Sequence, residues 1–388
     1  MTYLRFLGAA CAAAQAAFCA AADAPLELRF SGRILYDYTQ AEADKAPLEI
    51  DGAELRAARL ALAGKGKQID FKIELETDED GEISATDAYI DFALPGSGWT
   101  VRAGQFKTPN SLQEQVSGLF TTFSERAAFT DAFAFDRRLG IAATTMGESW
   151  TFTAGAFGGN VNDTPTSEGF ALAARGTYAP VATEDLTVHL GASVRHRETD
   201  SRAPDLRYRQ RPFARIAGRM ISTGPVSESD VFVGLEGAVL RGPLWVSAEY
   251  GALSSHLTAG GNATFDGSSA EAGYFLGGRR TYGSGEFGRP EIDKPVTRGG
   301  PGALSISAAF DTLNLTDSGI DGGTMNTALL GLSWYPTART RLGLSLFHAD
   351  ADLGTSTSGL DPAFAAGVLA GQTSDKVTGF TLRMQADF

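Results

Sequence analysis

Four arginines are spaced by even numbers of residues in the stretch YRQRPFARIAGRM, residues 208–220. They are Arg209, Arg211, Arg215 and Arg219. Residues an even number apart lie on the same face of an extended strand, so the four guanidinium groups would form a basic ladder along one strand. A guanidinium group stays charged and binds phosphate or carboxylate oxygens through two parallel hydrogen bonds. The spacing therefore predicts a surface that binds small oxyanions.

Further cations fall on the polar face of other predicted strands. They are Arg29, Arg33, Arg59, Lys72, Arg102, Arg195 and Arg197. Acidic residues share that face, and they include Asp70, Glu74, Glu236 and Glu249. Each cation therefore has two interpretations, as an anion-binding group or as one member of an ion pair between neighbouring strands. Only seven of the 33 basic residues are lysines, so the sequence contains no lysine cluster.

The histidines offer a hydrolytic alternative. His256 directly follows Ser255, and Asp350 lies two residues after His348. Serine, histidine and aspartate together can form a hydrolase site, but neighbours in sequence seldom do so. The acidic stretch ETDEDGEISATD, residues 76–87, approaches the spacing of a calcium-binding loop, yet its flanks alternate as strands do. We therefore predict no catalytic residues, no metal site and no cofactor.

The elements that must position these side chains show alternation of apolar and polar residues. In LELRFSGRILYDY, which begins at Leu26, the residues Leu28, Phe30 and Ile34 fall on one face, with Arg33 on the other. About 17 segments follow this pattern, which indicates half-buried strands. A barrel made by a single bacterial chain has an even number of strands, so at least one segment is not a barrel strand.

The first 22 residues have the composition of a secretory signal peptide. Arg5 precedes an alanine-rich apolar run, and small residues end at Ala22. Both cysteines, Cys11 and Cys19, lie within this segment, so the exported chain would have no disulfide. We predict a signal peptide at 1–22 and a single domain at 23–388.

Composition narrows the class of the exported domain. The mean hydropathy is −0.09, and no apolar run after the signal approaches the roughly 20 residues of a spanning helix. A net charge of −13 disfavours a nucleic-acid partner. Many short alternating segments instead predict an all-β protein, a transmembrane antiparallel β-barrel. A soluble sandwich is the alternative, but mid-strand charges such as Lys72 and Glu74 favour a water-filled interior.

The connections predict the orientation of such a barrel, because short turns belong on the periplasmic side and long loops outside. Short turns are predicted at 63–68, 95–99 and 335–340. Long external loops are predicted at 254–268, 277–302 and 351–375. Residues 106–137 fit neither kind, because they are too apolar for a solvated loop and do not alternate. We expect this segment to fold into the lumen as a constriction loop.

Several motifs resemble, in order, the landmarks of the phosphate-selective porin O and P family. They are RAGQFKTPNSLQEQ, TTFSERAAFTDAF, RRLGIA, VGLEGAVLRGPLWVSAEY and LGLSWYP. The resemblance covers the exported chain almost end to end. It implies a homotrimeric barrel of about 16 strands, with about 18 as the alternative, whose third external loop folds inside. Lys107 and Arg126 match the basic positions of the family's loop pattern, and Glu125 is the expected ion-pair partner of Arg126.

The resemblance implies passive diffusion of small anions such as phosphate through an arginine-lined pore. A general, weakly selective diffusion porin is the alternative, and an outer-membrane hydrolase is a remote one. The expected location is the Gram-negative outer membrane, where lipid and lipopolysaccharide would surround the barrel. The last strand ends in Phe388 on its apolar face, and the resemblance adds that the barrel-assembly machinery reads such a terminal aromatic residue.

Overall fold

The computed structural model describes residues 26–77, 81–163, 169–200 and 205–388. The predicted signal peptide lies outside the described residues. Within the described part, the chain forms one large sheet and two small sheets, each made of two strands of two residues. It also has three short α-helices and one turn of 3₁₀ helix, Val296–Arg298.

Sixteen long strands make the wall. The large sheet in the described residues has 17 strands, of which Leu206–Gln210 is a short strand that pairs only with the first part of one neighbour. The other strands are β1 (Glu27–Ala43), β2 (Glu49–Lys65), β3 (Ile69–Thr77), β4 (Ile83–Ala93), β5 (Trp99–Lys107), β6 (Arg137–Met146), β7 (Trp150–Phe157), β8 (Phe170–Ala182), β9 (Leu186–Glu198), β10 (Ile221–Arg241), β11 (Leu244–Leu257), β12 (Asn262–Leu276), β13 (Ala303–Asp317), β14 (Ile320–Thr337), β15 (Thr340–Asp352) and β16 (Ser374–Asp387).

The wall is closed. Each strand pairs antiparallel with the next, and β16 pairs with β1, where Arg33 lies opposite Asp387 and Ala43 lies opposite Val377. A closed ladder satisfies the backbone of every strand, as a spanning sheet in lipid requires. The predicted antiparallel barrel of about 16 strands is confirmed. The alternatives of more strands and of a soluble sandwich are wrong, because the first strand pairs directly with the sixteenth.

Side chains alternate between an apolar outer face and a polar interior. Along β10, Leu235 is 59% exposed on the outside, whereas the next residue, Glu236, is 7% exposed and faces inward. Exposed apolar side chains on every second residue are the pattern of a strand that faces lipid. No helix among the described residues is long and apolar enough to cross a membrane.

The two ends of the barrel differ in their connections. β1 begins and β16 ends at the same end, which we call the proximal end, and we call the opposite end distal. Short turns at the proximal end are 66–68, 94–98, 147–149, 183–185, 242–243 and 338–339. The much longer connection 277–302 lies at this same end, because it follows β12 and precedes β13.

Two of the predicted external loops are therefore wrong. Residues 277–302 lie at the end of the short turns, since the pairing of β12 with β13 fixes their side of the barrel. Residues 254–268 are mostly strand, because polar residues such as Thr264 and Asp266 continue β12 beyond its apolar part. Residues 353–373 do form a long connection at the distal end, with helix α3 at Pro362–Leu369.

Residues 108–136 connect β5 to β6 at the distal end and lie inside the barrel. We call them the inner loop, and they contain α1 (Leu112–Gln115) and α2 (Ala128–Ala132). Phe133 is 0% exposed, and Phe135 packs edge-on against Phe232 of β10 with ring centroids 4.7 Å apart. Each buried ring of this kind contributes about 1.5–3 kcal/mol. The apolar character of the segment is thus explained by its contact with the inside of the wall.

Residues 282–287 form a small hairpin within the long proximal connection. Tyr282–Gly283 pairs with Glu286–Phe287, and the turn residues Ser284 and Gly285 have φ angles of 52° and 79°. Positive φ at both central residues is the geometry of a tight two-residue hairpin, which glycine adopts at little cost. We call this element the proximal hairpin. Phe287 belongs to the same buried cluster as Leu112 and Val116 of the inner loop, so segments from opposite ends of the barrel pack together in its interior.

Candidate functional site

Two of the cavities inside the described part of the barrel meet where the inner loop approaches the proximal hairpin. The distal cavity has a volume of about 440 Å³ and the proximal cavity one of about 570 Å³. Five residues line both cavities, and we call them the neck: Arg102, Phe106, Lys107, Gln115 and Glu286. A solute that moves from one cavity to the other passes these five side chains.

The distal cavity carries an excess of positive charge. Its eleven cationic side chains are those of Arg33, Arg56, Arg59, Lys72, Arg102, Lys107, Arg126, Arg137, Arg211, Arg215 and Arg383. Its five carboxylates are those of Asp87, Glu114, Glu125, Asp131 and Glu286. The lining therefore has a formal charge of +6, although the whole chain has a charge of −13.

One buried carboxylate of the wall holds the start of α1. Glu249 of β11 accepts hydrogen bonds from the Ser111 hydroxyl at 2.7 Å, from the Leu112 backbone N–H at 2.9 Å and from the Gln113 backbone N–H at 2.8 Å. The first N–H groups of a helix have no partner within the helix, so this carboxylate supplies their acceptors. The inner loop is thereby fixed to the wall at the residues that precede the neck.

Two wall arginines hold the next part of the inner loop. Arg341 of β15 donates to the carbonyl oxygens of Thr121 at 2.6 Å and Thr122 at 2.5 Å. Arg383 of β16 donates to the Ser124 carbonyl at 2.9 Å and forms two hydrogen bonds with Asp37, at 2.8 and 2.6 Å. These arginines position backbone as well as contributing charge, and neither was among the predicted site residues.

Eight of the thirteen predicted cations line the distal cavity. They are Arg33, Arg59, Lys72, Arg102, Lys107, Arg126, Arg211 and Arg215. The remaining five line neither of the two cavities: Arg29, Arg195, Arg197, Arg209 and Arg219.

Three of the lining cations share one buried carboxylate. Arg33, Arg59 and Lys72 lie 3.1, 3.2 and 3.2 Å from the oxygens of Glu74. Lys72 also lies 2.7 Å from Asp87. The ion pairs between strands are thus present and the three side chains also line the cavity, while their role in anion binding stays a prediction. The net charge available to a solute is what remains after this pairing.

Arg102 and Lys107 belong to the neck but use their hydrogen bonds differently. Arg102 forms two hydrogen bonds with Asp91, both of 2.7 Å, and its guanidinium lies 3.7 Å from the centre of the Tyr89 ring. Lys107 donates to the carbonyl oxygens of Glu114, Gln115 and Val116, at 3.3 Å for Gln115 and 3.2 Å for Val116. The ammonium of Lys107 thus holds the end of α1 against β5.

Arg126 does not pair with the residue expected from the sequence. Its guanidinium donates to the carbonyl oxygens of Gln113 at 2.7 Å and Val116 at 2.9 Å, and its nearest carboxylate is Glu114 at 3.7 Å. Glu125 instead lies 3.5 Å from Arg56. The predicted pair of Arg126 with Glu125 is therefore wrong, because the loop turns the two adjacent side chains towards different partners.

The arginines outside the cavities have structural contacts. Arg29 lies near the proximal end of β1, where its side chain is 67% exposed and pairs with Glu27 at 2.8 Å. Arg195 and Arg197 are buried against Asp230, with Arg197 at 2.5 Å. Arg195 also donates to the Phe133 carbonyl at 2.9 Å and so holds the end of the inner loop.

The predicted ladder of four arginines does not run along one strand. Arg209 belongs to the short strand Leu206–Gln210, and the chain then leaves the sheet until β10 begins at Ile221. Pro212 lies in the interruption, and a proline cannot donate to a ladder. Arg211 and Arg215 reach the distal cavity, whereas Arg219 pairs with Asp131 at 2.5 Å.

Arg56 lines the distal cavity, but the alternation of residues along the strand does not predict that it faces the lumen. Leu35 pairs with Ala57 and Tyr36 with Leu55, so Arg56 is the extra residue of a β-bulge in β2. A bulge shifts the alternation by one residue, and nothing in the local composition reveals it. The Nε atom of Arg56 is buried without a hydrogen-bond partner among the described residues, and Glu125 is the nearest carboxylate. The side chain of Arg56 keeps 20% of its surface exposed where it lines the distal cavity.

Glu286 was also missed, because it lies in a segment predicted to be external. It is the acidic residue of the neck. Burial raises the pKa of its carboxyl, and the neighbouring cations Lys107 and Arg175 oppose that shift. The proximal hairpin has no residue pattern that distinguishes it from a solvated glycine-rich loop.

The histidines proposed for hydrolysis contact other groups. His256 lies 3.0 Å from the Asn262 side-chain oxygen and 3.2 Å from Glu228. His348 lies 2.8 Å from the Thr378 hydroxyl. Neither contact provides the serine that a nucleophilic mechanism of this kind needs.

The amino-acid sequence of this chain is similar to that of known proteins. The family model described as phosphate-selective porin O and P matches residues 28–388. An uncharacterized protein of Caulobacter vibrioides is 35% identical over 377 residues, which cover 92% of this chain and 73% of that protein. Porin O of Pseudomonas aeruginosa is 25% identical over 385 residues, covering 88% of this chain and 87% of the relative.

A solved structure shares the fold. The anion-selective porin from Comamonas acidovorans superposes with a TM-score of 0.60 at 14% identity, and the match covers 94% of this chain and all of that one. At this identity the likeness concerns the barrel and its connections rather than individual side chains.

Proposed function

The chain belongs to the phosphate-selective porin O and P family and is a porin of the Gram-negative outer membrane, and from this premise we propose that small anions diffuse passively through its arginine-lined lumen. The observation that carries the proposal is the formal charge of +6 on the lining of the distal cavity. An anion that enters a narrow pore loses part of its hydration, and fixed cations compensate that cost. Family and fold are those of a channel rather than of an enzyme.

Phosphate is the solute that the chemistry of the lining fits best. The name of the family refers to phosphate and that of the Comamonas structure to anions, and the distal cavity offers nine guanidinium groups. Planar guanidinium groups bind phosphate oxygens in pairs. Arg56 and Arg126 are two of the lining cations that we assign to the transient binding of anions, because their nearest carboxylates lie 3.5 and 3.7 Å away.

General diffusion with weak anion preference is a second candidate. It is favoured by the five carboxylates of the distal cavity and by the pairing of Arg33, Arg59 and Lys72 with Glu74. Under this alternative, chloride and phosphate would cross in proportion to their size and charge. Selective binding of phosphate would instead reduce chloride current when phosphate is added.

We extend the proposal to the organisation of the chain. Residues 1–22 are a signal peptide, residues 23–388 form the exported barrel, and residues 106–137 act as its constriction loop. The functional unit is a homotrimer within outer-membrane lipid and lipopolysaccharide. The barrel-assembly machinery recognises the last strand through Phe388.

Reversal potential in a planar bilayer tests the function. A gradient of potassium chloride, and then of potassium phosphate, should give a potential of the sign that anion permeation produces. The preference should weaken as the salt approaches 1 M, where the screening length falls to about 3 Å. A potential of the opposite sign in dilute salt would contradict an anion pore. Permeabilities of chloride and phosphate that follow only the size and charge of the two ions would favour general diffusion.

A further inference from the structure

The proximal hairpin is fixed to the barrel wall by its backbone and by a side chain. Arg175 of β8 donates to the Gly285 carbonyl at 2.8 Å, and the Tyr282 hydroxyl lies 2.7 Å from Nδ1 of His189 on β9. The other ring nitrogen of His189 lies 3.0 Å from Glu236, which Arg175 also contacts. These contacts hold the hairpin in one position, although it belongs to a long connection.

A second group of contacts joins the hairpin to the inner loop. The guanidinium of Arg280 lies 4.7 Å from the centre of the Phe287 ring and 4.8 Å from the Trp245 ring, and it donates to the Thr122 hydroxyl at 2.8 Å. Phe287 is 3% exposed. The hairpin and the inner loop therefore form one packed unit, and the residue that precedes Phe287 has a defined place.

That residue is Glu286, which lies in the neck without a fixed partner. No hydrogen bond or ion pair joins its carboxylate to another residue in the described part of the chain. Lys107, the ammonium of the neck, is engaged with three carbonyl oxygens of the inner loop. Glu286 thus presents, between the two cavities, a negative charge that is not part of a direct ion pair, although Lys107 and Arg175 lie close enough to act on it electrostatically.

We propose that Glu286 is a specificity-determining residue, whose carboxylate disfavours multiply charged anions relative to singly charged ones. The inference rests on the proposed anion pore. The energy of repulsion between a fixed charge and an ion is proportional to the charge of the ion. If the carboxylate lowers the permeability of a singly charged anion by a given factor, it lowers that of a doubly charged anion by the square of this factor. The positive charge of the distal cavity therefore raises the local concentration of anions, and the carboxylate of the neck lowers the permeability of doubly charged anions more than that of singly charged ones.

The test compares Glu286→Gln with Glu291→Gln. Glutamine keeps the size of the side chain and removes the charge. Glu291 belongs to the same connection but is 56% exposed and pairs with Arg279, so it is the matched control. Reversal potentials are measured at about 0.1 M salt, where the screening length is about 10 Å, with potassium chloride and with potassium sulfate.

In Glu286→Gln we expect the chloride-to-potassium permeability ratio to rise about threefold and the sulfate-to-potassium ratio about tenfold. Glu291→Gln should leave both ratios unchanged. Glu286→Asp keeps the charge and should retain the discrimination of the wild type. A heat-dependent shift in gel mobility confirms that each barrel has folded.

Three results would overturn the assignment of Glu286. They are unchanged ratios in Glu286→Gln, equal rises for chloride and sulfate, and a rise in potassium permeability, which would indicate a wider neck. These results differ from a failure of the proposed function. A wild-type pore that prefers potassium over chloride would contradict the anion pore itself, whereas an anion-selective wild type with an inert Glu286 would contradict only this inference.

Discussion

At the scale of single residues, what distinguishes the lining cations is the partner that each one already has. Arg102 forms two short hydrogen bonds with Asp91, and an anion would have to compete with that carboxylate. Arg56 lies 3.5 Å from Glu125 and has a guanidinium nitrogen without a hydrogen bond. Hydrogen bonds to charged groups contribute about 1.5–3 kcal/mol, so a guanidinium that lacks two short hydrogen bonds to a carboxylate gains most from a passing oxyanion.

The first prediction concerns Arg56. Replacing it with glutamine removes one positive charge from the distal cavity, and the anion-to-cation permeability ratio should fall about twofold to fivefold in dilute salt. Arg29→Gln is the control, because that side chain is 67% exposed beside Glu27. Reversal potentials measure both variants. Equal effects would mean that the charge of the whole barrel, rather than that of the cavity, sets the preference.

The second prediction is a pH dependence that arises from Glu286. Because burial raises the pKa of its carboxyl, Glu286 takes up a proton at a higher pH than an ordinary glutamate. As the pH falls through that raised pKa, the neck loses its negative charge and the anion preference increases. Lys107 and Arg175 face the same carboxyl, and any change in their charge persists in Glu286→Gln. Selectivity measured against pH should therefore differ between wild type and variant at high pH and converge in acid.

At the scale of elements, the inner loop depends on acceptors and donors that come from the wall. Glu249 accepts three hydrogen bonds from the start of α1, and Arg341 and Arg383 donate to three carbonyl oxygens further along. The loop has two helices of four and five residues, which are too short to be stable alone. Its shape is therefore imposed by the barrel.

The third prediction follows from Glu249. Glutamine at this position presents an amide donor to groups that are themselves donors, which costs about 1–3 kcal/mol. The loop should loosen, single-channel conductance should rise, and anion preference should fall, because the passage widens and Lys107 and Arg126 are no longer held in the lining. Removing a negative charge without loosening would raise the preference, so the two effects have opposite signs. Ser247→Ala, which changes a buried residue two positions away on β11, is the control.

The sequence predicted the strands with regular alternation and missed most of the elements without it. The strand pattern was recognised over residues 27–38 of β1 and near the end of β16 at Phe388, because a strand between lipid and water repeats every two residues. The distal ends of both strands, residues 39–43 and 374–379, were not recognised. The bulge at Arg56, the interruption after Gln210 and the proximal hairpin have no such repeat. Their positions depend on tertiary contacts such as that between Arg175 and Gly285, which local composition does not encode.

At the scale of the whole molecule, the barrel is completed by the seam between β1 and β16. Phe388 stacks against Phe30 with ring centroids 5.9 Å apart, and its N–H donates to the Gly32 carbonyl at 3.0 Å. Thr39 and Thr381 share a buried hydrogen bond of 3.0 Å across the same seam. The seam thus has an aromatic contact outside and a polar contact inside.

The fourth prediction is that Phe388→Ala lowers the yield of folded barrel in the outer membrane. The variant loses the ring contact with Phe30 and the aromatic group that we propose the assembly machinery reads. Met384→Ala is the control, because Met384 is 60% exposed on the same face of β16. Heat-dependent gel mobility of outer-membrane fractions measures the folded share. Equal yields from the two variants would show that exposed apolar area, and not the terminal ring, governs assembly.

The bulge in β2 allows a positive charge of the pore lining to be lost by deletion of one residue rather than by substitution. Because Arg56 is an extra residue between paired neighbours, deletion of that single codon would restore a regular ladder and remove one cation from the lumen. The hairpin formed by β1 and β2 would keep its turn, and the two strands would stay paired on both sides of the deletion. Related genes can therefore gain or lose a lumenal charge while every other residue of the wall keeps its orientation.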